Sequence, residues 1–252
     1  MTSQKPVDPV PAATMLLLRD KPEFQVLMVK RHHQIDFASG ALVFPAAGDD
    51  AEHWADHCTG WDVLDPTQRA LRIAAIREAY EEAGILLADT NDGTAFEGSC
   101  DLASRKAVEH GERSFLDVVR EADVRLRLHG LSDFARWITP TFMNKRFDTW
   151  FYVARAPERQ IAACDGYETV DAEWLSPAGA LALGEAGERT IIFPTRLNLE
   201  LLAQANSAQD CITRAEARTI DPVLPQIVQR DGKNFLTIPE NAGYGTASEV
   251  VG

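Results

Sequence analysis

Glu78, Glu81 and Glu82 stand at i, i+3 and i+4 in the run ALRIAAIREAYEEAGILL, residues 70–87. At about 100° per residue, a helix there places Ile76, Ala79, Tyr80 and Ala83 on one buried stripe and gathers the three glutamates on the opposite side. Like charges at that spacing repel. They also lie toward the helix C-terminus, where the macrodipole disfavours negative charge. Two readings are open. A solvated acidic face requires nothing more, whereas a hard divalent cation held by carboxylate oxygens would offset both penalties. Gly84 sits where a helix C-terminus favours glycine, and residues 85–88 read as a short apolar strand.

Other reactive residues are sparse. His53 and His57 stand at i, i+4 beside Cys58, half of a zinc site, but no second ligand pair is near and a solvent-facing helix is expected. Cys58, Cys100, Cys164 and Cys211 are widely spaced with no C-x-x-C pair, which fits reduced structural thiols in a cytosol. No Ser/His/Asp or Cys/His nucleophile arrangement and no phosphate-binding Walker loop occurs.

The elements that position these residues can be read in order. Residues 12–19 and 24–31 are apolar runs separated by Asp20-Lys21-Pro22-Glu23 and read as an antiparallel hairpin. A polar loop over 32–40 and a short buried strand at 41–44, ended by Pro45, follow. A small helix is expected near 51–58, then a loop through Asp65-Pro66. Beyond the acidic helix, 101–110 and 114–126 are helical patterns, with Phe115, Val118, Val119 and Ala122 at core spacing. Strands are expected at 134–138, 149–154 and 170–175, and helices at 177–184, 194–205 and 208–218. Asp231-Gly232 marks a final hairpin.

The chain has 252 residues, 45% apolar, with 25 Lys+Arg against 38 Asp+Glu and a net charge of −13. That balance, without a basic stripe, argues against binding the nucleic-acid backbone. No apolar run reaches the ~18 residues of a membrane span. Pro6, Pro9 and Pro11 suggest a flexible lead-in lacking a signal-peptide core, and Val-Val-Gly at the end is not a Ser-Lys-Leu-type peroxisomal signal. Cytoplasmic is the default expectation.

Arg77-Glu78-Ala79-Tyr80-Glu81-Glu82-Ala83-Gly84-Ile85 resembles the REUxEExGU half of the Nudix box. The resemblance extends to VKRHHQIDFASGALVFP upstream, and to Arg136-Trp137-Ile138-Thr139-Pro140 and Arg146-Phe147-Asp148-Thr149-Trp150-Phe151-Tyr152 downstream. The latter look like the larger Nudix branch that includes coenzyme A diphosphatases. Two departures stand out. The family's glycine pair is Ala46-Ala47 here, followed by Gly48, and its earlier glutamate falls on Arg69, with Asp65 the nearest acid. The interval from Ala47 to Arg77 is also longer than the family's, an insertion over residues 49–68.

The resemblance implies an α/β fold: a Nudix α/β/α sandwich with a mixed sheet, a helical insert near 99–130 and extra C-terminal helices. Residues 1–10 would be a flexible lead, 11–205 the Nudix domain and 206–252 an extension packed on it. It implies Mg²⁺- or Mn²⁺-dependent hydrolysis of a diphosphate linkage in a small-molecule nucleotide derivative, coenzyme A or acyl-coenzyme A first among them. The alternative is a Nudix-fold nucleotide-binding module limited by Ala46-Ala47. By family match, Glu78, Glu81 and Glu82 are metal ligands and Glu168 is a further ligand from a loop, with Asp165 and Glu173 as competitors. Glu78 or a loop carboxylate is the general base, and Arg77 orients the glutamates. Arg31 and Arg146 are candidates for substrate phosphates, because their neighbours resemble family strands facing the cleft. The insert would wall a long cleft, thicken the core or build a homodimer interface.

Overall fold

Residues Val10–Arg19 form β1, a strand buried on both faces, which is why it reads as a continuous apolar run rather than an alternating one. In the computed structural model, which describes residues 7–31, 51–163, 169–245 and 247–251, β1 divides two cores. Ala13, Met15 and Leu17 face one; Leu16 and Leu18 face the other. The chain continues through β2 (Gln25–Arg31), α1 (Ala51–Trp54), β3 (Cys58–Thr59), α2 (Pro66–Ala83), β4 (Ala88–Thr90), α3 (Leu102–Glu109), α4 (Phe115–Glu121) and β5 (Val124–Arg127). Then come β6 (Ser132–Ile138), β7 (Phe147–Arg155), β8 (Thr169–Leu175), α5 (Pro177–Glu185), α6 (Phe193–Leu202), α7 (Ala208–Glu216), β9 (Gln226–Arg230), β10 (Lys233–Thr237) and β11 (Ser248–Val251).

The central sheet has the order β6-β7-β1-β2-β8. It is mixed: β1 and β7 run parallel, from Val10 opposite Phe147 to Leu18 opposite Arg155, while the other pairs are antiparallel. On one face α6 and α7 pack against Leu18, Val26, Val153 and Trp137. Asp20, at the β1–β2 turn, fastens this layer by accepting from Ala208 N at 2.7 Å and Arg155 Nη1 at 2.8 Å. On the other face lie α2 and the residues packed around it. Helices on both faces of a mixed sheet match the expected architecture.

Three expectations need correction, each for a local reason. Residues 85–87 do not form a strand. The Leu86 N–H and C=O are taken by the side-chain amide of buried Gln160, at 2.8 and 3.1 Å, so pairing begins only at Ala88. The helix expected over 114–126 ends at Glu121. Asp123 takes φ 52°, a left-handed value that aspartate tolerates better than most residues, and turns the chain into β5. The small helix near 51–58 gives way to a 3₁₀ turn at Ala55–His57, and Cys58 enters β3.

These corrections change the nature of the insert. β5 is the middle strand of a second sheet, β3-β5-β4, parallel to β3 and antiparallel to β4. The 49–68 insertion and the 99–130 insert therefore meet on the residues that follow α2. Val108, Phe115, Leu116, Val118 and Val119 join the core around α2, so the insert thickens that core. At the C-terminus, Asp231 (φ 50°) and Gly232 (φ 73°) form the expected turn between β9 and β10. The expected hairpin also gains an unforeseen third strand, β11.

Buried acids make the fold sensitive to alkali. Burial pushes the Tyr80 and Tyr244 phenols and the Cys58 and Cys211 thiols up to about 12, and drives Tyr152 up as well. In the unfolded chain thiols ionise near ~8.5 and phenols near ~10. A raised folded value means the contribution is whole below the unfolded value and is lost as pH rises toward the folded one. Unfolding free energies from urea titrations are expected to fall from about pH 9 upward, by up to about 1.4 kcal/mol per pH unit per group. A flat profile to pH 11 would contradict this.

Candidate active site

The acidic helix begins a turn earlier than the 70–87 run. Asp65 caps it, its carboxylate accepting from Thr67 N at 2.8 Å and Gln68 N at 3.1 Å, and Pro66 occupies the first turn, where no N–H partner is needed. Arg69, which stands where the family has a glutamate, is engaged locally. Its Nε donates to Trp61 O at 2.9 Å and its guanidinium lies 4.6 Å from the Trp61 ring centre. The helix ends at Gly84, whose φ of 69° is the left-handed cap that glycine adopts without a Cβ clash.

The helix is not amphipathic in the simple sense expected. Arg72 on one side and Glu81 on another are buried alongside the apolar stripe. Glu81 is only 8% exposed, so the three glutamates are not equivalent. Arg77 Nε lies 3.3 Å from Glu81 Oε1, an ion pair without aligned hydrogen-bond geometry. This gives Arg77 an orienting contact to Glu81.

Glu78 and Glu82, one helical turn apart, instead line a cleft of about 60 Å³ between the end of α2 and the β1–β2 hairpin. Thr14, Met15, Leu17, Leu27 and Val29 supply its other wall, and Ala79 and Ala83 its helical floor. Two carboxylates at i, i+4 over an apolar surface repel each other with little solvent to screen them. Their oxygens are the hard donors that Mg²⁺ and Mn²⁺ prefer. Among the described residues no three His, Cys, Asp or Glu side chains form a cage. That is compatible with magnesium, which is commonly held by one or two carboxylates and completed by water and substrate phosphate. The donor set therefore fits such a cation.

The remaining candidates fare differently. Arg146 is buried, with Nε donating to Thr139 O at 3.0 Å and Nη1 to Val7 O at 2.6 Å. It ties the β6–β7 connection to the start of the chain, a structural occupation in place of the expected phosphate contact. Arg136 is held on Asp148 by paired contacts of 2.8 and 2.6 Å. The two downstream stretches of the resemblance are thus partner strands of one ladder. Arg31 closes β2 opposite Thr169; the expectation for its side chain falls outside the described residues. So do Glu168, Asp165, Ala46-Ala47, Gly48, the 32–40 loop and the strand at 41–44. Glu173, the competitor of Glu168, pairs with Arg189 at 3.3 Å. The zinc option is not supported: His57 Nε2 lies 3.3 Å from Arg120 Nε, and the buried Cys58 thiol is pushed up to about 12 by desolvation.

One residue that sequence reasoning passed over belongs to this site. Arg105 of α3, 3% exposed, donates from Nε to Tyr80 O at 3.0 Å and from Nη2 to Glu81 O at 3.0 Å and Ala163 O at 2.9 Å. A lone arginine in a helical insert carries no motif that would have revealed it.

Comparison with known proteins agrees with this geometry. The model of the NUDT19 Nudix domain matches residues 59–200. The chain is 25% identical over 236 residues to nudix hydrolase 7 of Caenorhabditis elegans, covering 90% of this chain and 71% of that protein. It is 31% identical over 188 residues to human acyl-coenzyme A diphosphatase NUDT19, covering 68% of this chain and 49% of the human protein, about half its length. A crystal structure of a Nudix hydrolase from Alicyclobacillus acidocaldarius shares the fold, with TM-score 0.69 at 23% identity over 85% of this chain and 98% of that one. With the acidic helix inside the stretch that the family model matches, the chain belongs to the NUDT19 Nudix domain family and is a Nudix-type diphosphatase.

Proposed function

We propose that this diphosphatase hydrolyses the diphosphate bridge of coenzyme A or an acyl-coenzyme A, using Mg²⁺ or Mn²⁺ held by Glu78 and Glu82. The observation that carries the catalytic part is the placement of those two carboxylates in one cleft at the end of the box helix. The substrate part is supported by the names of relatives such as human NUDT19. A divalent cation there supplies Lewis-acid neutralisation of the diphosphate and a more acidic water. A Glu78 carboxylate oxygen takes the proton of the attacking water, as general base. Glu81, held by Arg77, lies on the same turn of the helix.

Mass spectrometry of products tests the substrate. Coenzyme A incubated with the protein and Mg²⁺ or Mn²⁺ is expected to give 4′-phosphopantetheine and 3′,5′-ADP. If neither forms while ADP-ribose or a dinucleotide is turned over in parallel, coenzyme A is excluded and the reaction class stands. If no diphosphate is cleaved but a nucleotide binds, the chain acts as a binding module.

A further inference from the structure

We propose that Arg105 is a positioning residue for the acidic site: it fixes the last turn of α2, and so the placement of Glu81 and Glu82, relative to the chain at Ala163. This rests on the reading of Glu78 and Glu82 as cation ligands. Three observations carry it. The guanidinium reaches two carbonyls of the final helical turn, Tyr80 O and Glu81 O, together with Ala163 O across the chain. Ala163 N in turn donates to Ala83 O at 2.9 Å, closing the same junction from the other side. Gly84 leaves room for the arginine: a Cβ there would lie 2.9 Å from Arg105 Nη1.

The physical rationale is electrostatic and geometric. A helix C-terminus presents unsatisfied carbonyls and a partial negative charge, the least favourable place for a group of carboxylates. A buried cation on those carbonyls opposes that charge at the helix end. The planar fork fixes several acceptors at once, whereas a lysine ammonium acts as a point charge without that fixed geometry.

Arg72 is an internal control. It is also buried, lies on α2 itself, and likewise binds carbonyls, those of Leu128 and Leu131, but nearer the other end of that helix. Mn²⁺ affinity is measured by calorimetry for wild type, Arg105→Lys, Arg105→Met and Arg72→Lys, with thermal unfolding of each. We expect Arg105→Met to weaken Mn²⁺ binding at least tenfold and Arg105→Lys about threefold, while Arg72→Lys loses stability and keeps wild-type affinity. If Arg105→Met does not fold, the comparison of the two lysine variants decides. Equal Mn²⁺ affinity in wild type and both lysine variants would overturn the proposal and leave the cation reading intact. A wild type that neither binds Mn²⁺ nor cleaves any diphosphate would remove the cation reading, and this proposal with it.

Discussion

Glu82→Gln is expected to lower kcat at least ~100-fold, about 2.7 kcal/mol of lost transition-state stabilisation, while leaving the fold intact. Glu78→Gln should do the same. Both side chains line the cleft, and amide substitution removes the charge while keeping the shape. The stability arm makes the prediction specific. Removing one charge relieves i, i+4 repulsion worth about 0.2–0.5 kcal/mol and an unfavourable dipole contact of about 0.3–1 kcal/mol. A protein this size shifts Tm by roughly 2–4 °C per kcal/mol. Tm should therefore hold or rise by a few degrees as activity collapses. Glu81→Gln should behave differently, because Glu81 is buried beside Arg77. It is expected to lose both activity and stability. Turnover and calorimetry on the three variants check this; a Glu82→Gln enzyme with near-wild-type kcat would remove Glu82 from the site.

The largest stability effect is expected at Tyr80, between the two cleft glutamates in sequence. Its ring is 1% exposed and packs at 5.5 Å against Phe115, which packs at 5.9 Å against Trp54. One aromatic chain thus joins α2, α4 and α1. Truncating a buried aromatic residue to alanine costs about 3–5 kcal/mol, and Tyr80→Ala should lower Tm by roughly 6–20 °C. Against a typical total of about 5–15 kcal/mol, that leaves a marginal protein. Tyr80→Phe keeps the ring packing and should shift Tm by much less. A Tyr80→Ala variant within 2 °C of wild type would show that the insert does not brace the helix.

The sequence was most legible where local rules act alone. The acidic helix with its Gly84 stop, the β1–β2 hairpin and the Asp231-Gly232 turn each follow from short-range chemistry, and the structure has all of them. Misreadings arose where a distant partner decides. Gln160 occupies Leu86 from far along the chain, so an apolar run that looks like a strand has no strand partner. Val124 and Leu126 follow directly on a helical apolar pattern that runs to Ala122, and only pairing with β3 and β4 makes them a strand. The wheel grouped the three glutamates, but Glu81 is buried beside Arg77 while Glu78 and Glu82 line the cleft. Arg146 was a candidate for substrate phosphate, and its side chain is taken by carbonyls of Thr139 and Val7. The insert was open to three readings, cleft wall, core layer or dimer interface, and its apolar residues join the core around α2.

The parallel pairing of β1 with β7 imposes an order on synthesis. Val10 has no partner on that edge until Phe147 has been made, and Leu18 none until Arg155. At ribosomal speeds of about 5–20 residues per second, that delay is roughly 7–27 s. During it, Met15-Leu16-Leu17-Leu18 can pair only with β2, one side of a strand that ends up buried on both faces. Non-local parallel pairing is intrinsically slow and leaves apolar edges open to association. The nascent hairpin is therefore the segment most in need of a chaperone's cover. Recovery of soluble protein should improve when translation is slowed by cooling and chaperone capacity is raised together.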